Sequence, residues 1–376
     1  MTGPPSTLGV EEEFHLVDAR TRRLVPRSEP LLNLLPKDSF TEELHCSTVE
    51  SNSRPCLCLD ELARELGALR ETLIGGAAGL GLGVVAAGSV PLADVGQARI
   101  SAGPRYARML RDYQHLTREQ LICGTHVHVE LADRDLATLV AHRLAPWAPP
   151  LLALSASSPY WLGADTGYAS YRTMVWRRWP TAGPMAGYDS AAAYERMIAG
   201  LIRSGVIGDS GMIYFDIRPS AHVPTVELRI CDSCPRVADI VLVAGLFRAM
   251  VARELECVRR ERCGAAAREV SLEAVRAATW QAARAGLEGT LVDPVLGVPG
   301  RPGRVIGRMV DALRPQLEQA GDWTLVSGLA REALRRGSSA RRQRVAYARR
   351  GRLADVVDLL LAETRSGFPT SRRPAA

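Results

Sequence analysis

The sequence predicts an α+β fold: one sheet of short strands bearing acidic and imidazole side chains, packed by helices and followed by a helical C-terminal region. Three observations lead there. Strand-like runs occur at residues 8–17, 40–51, 83–87, 122–131, 213–218 and 225–231. Apolar residues at helical spacing occur at 59–80, 106–123, 136–144, 191–203 and 237–259, and beyond about residue 270 the pattern is helical, ending in 341–364. The two kinds of element mix without a regular βα repeat, which disfavours a doubly wound parallel sheet.

The first strand, within Thr7-Leu8-Gly9-Val10-Glu11-Glu12-Glu13-Phe14-His15-Leu16-Val17, projects Glu11 and Glu13 to one face, because alternate residues of a strand point the same way. Like charges side by side repel, so a cation is expected between them. In the run 40–51, Glu43 and Glu50 stand seven apart. An uninterrupted strand would put them on opposite faces, so a bulge or hairpin must intervene if both bind one ion. Cys123-Gly-Thr-His126-Val-His128-Val-Glu130 sets His126 and His128 on one face and valines on the other. Carboxylates with an imidazole, and no converging cysteines, suit hard cations such as Mg2+ or Mn2+. Taken singly, each of these residues also fits a solvated or hydrogen-bonded structural role.

Two later segments add arginines. In the loop-like stretch 168–180, Arg172, Arg177 and Arg178 lie among Tyr171, Trp176 and Trp179, as anion binding or plain packing would require. In 214–232, Asp216 alternates with Arg218, and Glu227 with Arg229, on a hairpin expected around 219–224. Acids and arginines on one inward face are costly to bury without compensation, which metal and an anionic substrate would supply. The chain thus reads as a metal-dependent enzyme acting on something anionic.

Composition narrows the classes. In 376 residues, an apolar share of 47% supports a large core. Eight cysteines (46, 56, 58, 123, 231, 234, 257 and 263) are too few in so long a chain to be a disulfide framework, and Cys231-Asp-Ser-Cys234 lacks a second pair to complete a zinc site. The net charge of +6 comes from residues 331–352, where nine arginines face Glu332 alone; the rest is near neutral, so no nucleic-acid surface is expected. That stretch is read as a solvated or packing helix. Met1 to Pro5 carry no basic start or apolar run, and no stretch reads as a membrane span, so a cytoplasmic protein with no membrane partner is expected.

Gly9-Val-Glu-Glu-Glu-Phe, Glu43 with Glu50, His126-Val-His128, Ser157-Ser-Pro-Tyr160, Tyr171-Arg172, Asp216-Ile-Arg-Pro-Ser220, Thr225-Val-Glu-Leu-Arg229 and Trp280-Gln-Ala-Ala-Arg284 together resemble, in order, the glutamate–cysteine ligase type 2 family. These carboxylate–amine ligases are relatives of glutamine synthetase. The resemblance implies a glutamine-synthetase-like, mainly antiparallel curved sheet forming a funnel. It implies one catalytic domain over 1–376, with a motif-bearing core at 7–294 and a helical extension at 295–376. It further implies ATP-dependent amide formation, γ-glutamyl in type, through an acyl phosphate with Mg2+ (or Mn2+), on small amino acid or amine substrates, in a homo-oligomer, as a dimer. By position it implies Glu11, Glu13, Glu43, Glu50, His126 and Glu227 as metal ligands and Arg229 and Arg218 as catalytic phosphate partners. Arg172, Tyr171, His128 and Asp216 then bind substrate. No Walker-type loop is present, so metals and arginines must hold the phosphates. A metal hydrolase activating water, or a non-catalytic relative that only binds, are the competing readings; arginines on acid-bearing strands disfavour the first, and retention of all six expected ligands, five acids and one imidazole, the second.

Overall fold

The computed structural model describes residues 7–259 and 271–368; Met1 to Pro5 and Cys263 lie outside that range. Strands β1 (Leu8–Asp18), β2 (Phe40–Glu42), β3 (Thr48–Asn52), β4 (Leu82–Val85) and β5 (Thr125–Glu130) belong to the main sheet. The short β6 (Tyr160–Trp161) and β7 (Ala164–Asp165) form a hairpin of their own, and β8 (Ile217–Pro219) and β9 (Thr225–Leu228) complete the main sheet. Its order is β2-β3-β1-β5-β9-β8, with β4 also on β1, and every pairing is antiparallel. The expected α+β class and curved antiparallel sheet are therefore present.

β1 is the hub. Glu11 to His15 pair with β3, Leu8 to Glu12 with β5, and His15 to Asp18 with β4. The run 40–51 is broken into two strands by a reversal at 43–47, the interruption that Glu43 and Glu50 require. The strand expected at 213–218 begins only at Ile217. The helix expected at 106–123 is cut short: Pro104–Tyr113 ends at Gln114, whose φ of 49° breaks the helical hydrogen-bond run before the turn His115–Arg118. Residues 171–176, read as loop, are a short helix capped by Ser170, whose hydroxyl accepts the Thr173 N–H.

The back of the sheet is the core. Val10, Phe14 and Leu16 of β1 and Val127 and Val129 of β5 pack under helices Leu59–Gly79 and Val237–Arg259. On that face stands one acid, Glu12, fully buried. Arg70 meets it at 2.6 Å and spends its remaining N–H groups on the carbonyls of Cys234 and Pro235, each at 2.7 Å, and of Thr364. Such an ion pair is tolerable in a core because every donor is used.

The C-terminal helices share this core, since Val305, Ile306, Met309 and Val326 join the same apolar cluster. The helix expected at 341–364 is two, Ser339–Arg350 and Leu353–Arg365, separated by Gly351 at φ 65°, which a residue with a Cβ adopts only with strain. The arginine-rich stretch packs rather than merely facing water. Arg342 grips Glu363 at 2.7 and 3.0 Å, Arg344 grips Asp165 at 2.7 and 2.8 Å, and Arg336 pairs with Glu332 and Asp239. Cys231 and Cys234 are free and buried; burial pushes both thiols up, Cys231 to about 12, so the spacing marks packing and not a redox pair. No helix among the described residues is long and apolar enough to cross a membrane.

Candidate active site

Register assembles the site. Glu50 of β3 lies opposite Glu13 of β1, Glu11 opposite His126 of β5, and His128 opposite Glu227 of β9, which in turn faces Arg218 of β8. Five strands thus lay one diagonal row of acids, imidazoles and a guanidinium across the face turned away from the core. Above it opens a cavity of about 580 Å³, lined by all of these side chains together with Glu43, Arg172 and Arg229.

His126 is the junction. Its Nδ1 stands 2.9 Å from a Glu11 oxygen, while its Nε2 lies 3.9 Å from Glu13 and is buried without a hydrogen-bond partner. A proton on Nδ1, given to Glu11, leaves a bare Nε2 lone pair, the form in which imidazole ligates metal. Two groups of potential ligand atoms, Glu11 with His126 and Glu227, and Glu13 with Glu50 and His126, each converge within 4.8 Å. The second imidazole, His128, bonds through Nδ1 to Thr225 at 2.8 Å, and its Nε2 lies 3.2 Å from Glu11.

The electrostatics divide the acids into two sets. Burial alone would raise Glu11 and Glu227, yet hydrogen bonds and charge from His126 and His128 hold Glu11 well below the ordinary range, and Arg218, Arg229 and His128 do the same for Glu227. Glu13 has less help: burial and the Glu43 charge push it up to about 7. Glu50 is likewise pushed well above the ordinary range by burial and by Glu43, Glu11 and Glu13, and burial also raises Glu43. Carboxylates that resist ionising because they crowd one another are relieved by a divalent cation. With hard oxygens, an unpartnered imidazole nitrogen and no thiolate, the residues present fit Mg2+ or Mn2+.

The arginines border this cluster. Arg218 donates to Glu227 at 2.9 Å, and Arg229 pairs with the same carboxylate. Arg172 is 2% exposed and makes no ion pair among the described residues; its guanidinium donates to the carbonyls of Ile230 and Arg229 and lies against Trp176. It crosses directly over Gly124, where a Cβ would stand 2.3 Å from Nη2, so a larger residue there would displace the guanidinium. Its backbone is fixed by a buried knot: Asp232 accepts the Ser157 N–H and the Ser158 and Ser170 hydroxyls, and the Arg172 N–H donates to Ser158.

Of the residues expected in the site, Glu11, Glu13, Glu43, Glu50, His126, His128, Arg172, Arg218, Glu227 and Arg229 all line the cavity. Two do not. Asp216 precedes β8 instead of lying in it, so alternation with Arg218 fails, and its carboxylate is turned to Arg177 at 2.9 Å. Tyr171 packs outward against Trp161 and Tyr168. The cavity also takes Tyr106 and Met109 from helix Pro104–Tyr113, and Gln120 from the segment before β5. Nothing in the sequence marked these except the spacing of Tyr106 and Met109 on one side of a helix.

Residues 7–359 match the family described as glutamate-cysteine ligase family 2. The chain belongs to that family. Relatives named "Putative glutamate–cysteine ligase" are 56% identical over 363 residues in Frankia alni (96% of this chain, 42% of that protein) and 54% identical over 361 residues in Mycolicibacterium smegmatis (96% and 90%). The chain therefore spans less than half of the Frankia protein and nearly all of the mycolicibacterial one. Among solved structures, a glutamate–cysteine ligase from Francisella tularensis in complex with AMP superimposes with TM-score 0.71 at 14% identity (97% of this chain, 90% of that one). A bifunctional glutathione synthetase from Pasteurella multocida does so with TM-score 0.70 at 15% identity (96% and 52%). Both share the fold. The family match runs past residue 294, through the arginine-rich helices.

Proposed function

We propose that this member of the family is an ATP-dependent carboxylate–amine ligase, activating a carboxylic acid, glutamate through its γ-carboxylate, and joining it to an amine. One observation carries the reading: two acid–imidazole groups that share His126 stand in the same cavity as Arg172, Arg218 and Arg229. Acids gather cations, arginines gather phosphates and carboxylates, and a reaction needing both at one point is phosphoryl transfer to a carboxylate.

In that reaction the donor carboxylate oxygen attacks the γ-phosphorus of ATP and ADP leaves. The amine then attacks the acyl phosphate carbon, phosphate leaves, and the amine's proton passes to a carboxylate of the cluster. Divalent ions would supply charge neutralisation between the phosphate oxygens. Glu11, His126 and Glu227 would hold one, and Glu13, Glu50 and His126 another, with Glu43 beside them. Arg229 and Arg218, fixed by Glu227, present N–H groups for the charge that develops on the transferring phosphoryl group. Arg172, lacking a carboxylate of its own, fits the substrate's.

The test is ADP release with L-glutamate and a panel of amines, with Mg2+ or with excess chelator. Release should need the metal and an amine, and Glu13→Gln and Glu227→Gln should each abolish it while circular dichroism stays native. Full turnover in chelator would overturn the reading. Product formation by hydrolysis without ADP release would favour a metal hydrolase.

A further inference from the structure

Opposite the charged floor the cavity has a wall of another character. Tyr106 and Met109 from helix Pro104–Tyr113 meet Trp176, Trp179 and Tyr214 there. These residues belong to an apolar cluster separate from the core behind the sheet, which also includes Leu44, Ile207, Met212 and Ile213. The rings are packed together: Trp176 to Tyr214 is 4.7 Å and Trp179 to Tyr214 is 5.5 Å between centroids. The indole N–H of Trp179 is held by Gln120 at 2.8 Å, that of Trp176 is buried without a hydrogen-bond partner, and Arg105, paired with Asp209, lines the cavity beside Tyr106, so the wall is aromatic surface with few polar groups.

Its position ties it to the reacting centre. Trp176 lies 5.5 Å from the Arg172 guanidinium and 6.0 Å from that of Arg229. Tyr106 shares the cavity with Glu43 and Glu50, and burial together with their charges raises its hydroxyl. A group resting on the wall is thus beside the point where the donor carboxylate and the phosphoryl group must meet. Cations, phosphates and carboxylates are all served by the floor, and none has use for five aromatic and thioether side chains; the groups that do are the acceptor's side group and the purine of ATP, and the wall's place beside Arg172 and Arg229 favours the acceptor.

We propose that this wall receives the acceptor, and that the acceptor is an amine bearing a bulky apolar or aromatic side group rather than a small or thiol-bearing one. The inference rests on the ligase reading above and names the substrate class that reading leaves open. Apolar side groups are chosen by the water they leave behind, and a hydrophobic pocket discriminates by about 10-fold or more per methylene.

The experiment measures kcat/KM for ADP release with the donor that supports it, across two sets of acceptors: leucine, phenylalanine, isoamylamine and phenethylamine, against alanine, serine, cysteine and ethylamine. The best of the first set should exceed the best of the second by about tenfold or more. Tyr106→Ala and Met109→Ala should each shrink that ratio several-fold. A ratio below about threefold in the unaltered protein, or cysteine as the best acceptor, overturns the proposal, and this result stands even if a variant fails to fold. A ratio unmoved in both folded variants, with KM for ATP raised instead, would assign the wall to the nucleobase and also overturn it. Absence of ADP release with every pair refutes the ligase reading itself, a pattern distinct from release in the wrong order.

Discussion

Replacing Glu50 by Gln should make the metal-free protein more stable than the parent, by a margin that grows with pH. Burial and then the charges of Glu43, Glu11 and Glu13 push the Glu50 carboxyl well above its ordinary 4.5. The folded protein therefore keeps a proton there that the unfolded chain has already released. A group whose folded pKa is raised contributes stability that is complete below the unfolded value and is lost as pH climbs toward the folded one. Each pH unit in that window costs about 1.4 kcal/mol, so one carboxyl can account for at most about 2 kcal/mol between pH 6.5 and 8. The lower bound matters, because burial lowers His126 and His45 to about 4. These histidines add stability as pH rises to about 6.5, where the unfolded imidazole loses its proton, and would mask the acids below that. His128, which the Glu11 hydrogen bond and the Glu227 charge raise against its burial, declines in the same window but is common to both proteins. Urea unfolding in chelator at pH 6.5 and 8 measures the margin. With saturating Mg2+ it should vanish or reverse, since an ion favours the ionised Glu50. A margin that stays flat or shrinks with pH in chelator would refute the crowding argument.

Arg229→Lys should not be conservative: it loses the fork that pairs with Glu227 and faces the cavity, and ADP release should fall on the order of 100-fold, a change within about twofold meaning that Arg229 only packs. Joint replacement of Arg341, Arg342 and Arg344 by Gln should leave KM for ATP unchanged, because none of the three lines the cavity, yet lower stability on the order of 2 kcal/mol through the half-buried grip of Arg342 on Glu363; a salt-sensitive rise in KM would place this helix over the nucleotide. Glu12→Gln should cost about 3–5 kcal/mol in urea unfolding, because it strands the Arg70 charge in the core; a loss under about 1 kcal/mol would show that the three remaining carbonyl contacts suffice.

What could be read from the sequence was whatever depends on alternation within a continuous strand. Glu11, Glu13, His126, His128, Glu227 and Arg229 sit on β1, β5 and at the end of β9, and the two-residue period alone sends them to one face. The same reasoning showed that Glu43 and Glu50 needed a reversal between them, and one is there. It failed at Asp216, one residue outside β8, where a backbone bridge from Phe215 to Gly183 redirects the chain and gives the carboxylate to Arg177. It was blind to Glu12 for the opposite reason. Period two placed that acid on the apolar face, where its tenancy depends on Arg70, 58 residues away on a helix whose pattern reads as ordinary. The apolar wall was illegible in kind: Tyr106, Trp176 and Tyr214 come from three segments with no common period, and they converge only because helix Pro104–Tyr113 stops at Gln114 and the chain returns to the sheet. Strand registry thus writes the charged floor, which holds groups any ligase of this kind needs, into local sequence. Tertiary packing builds the wall facing it, and it is there that the choice of acceptor would be made.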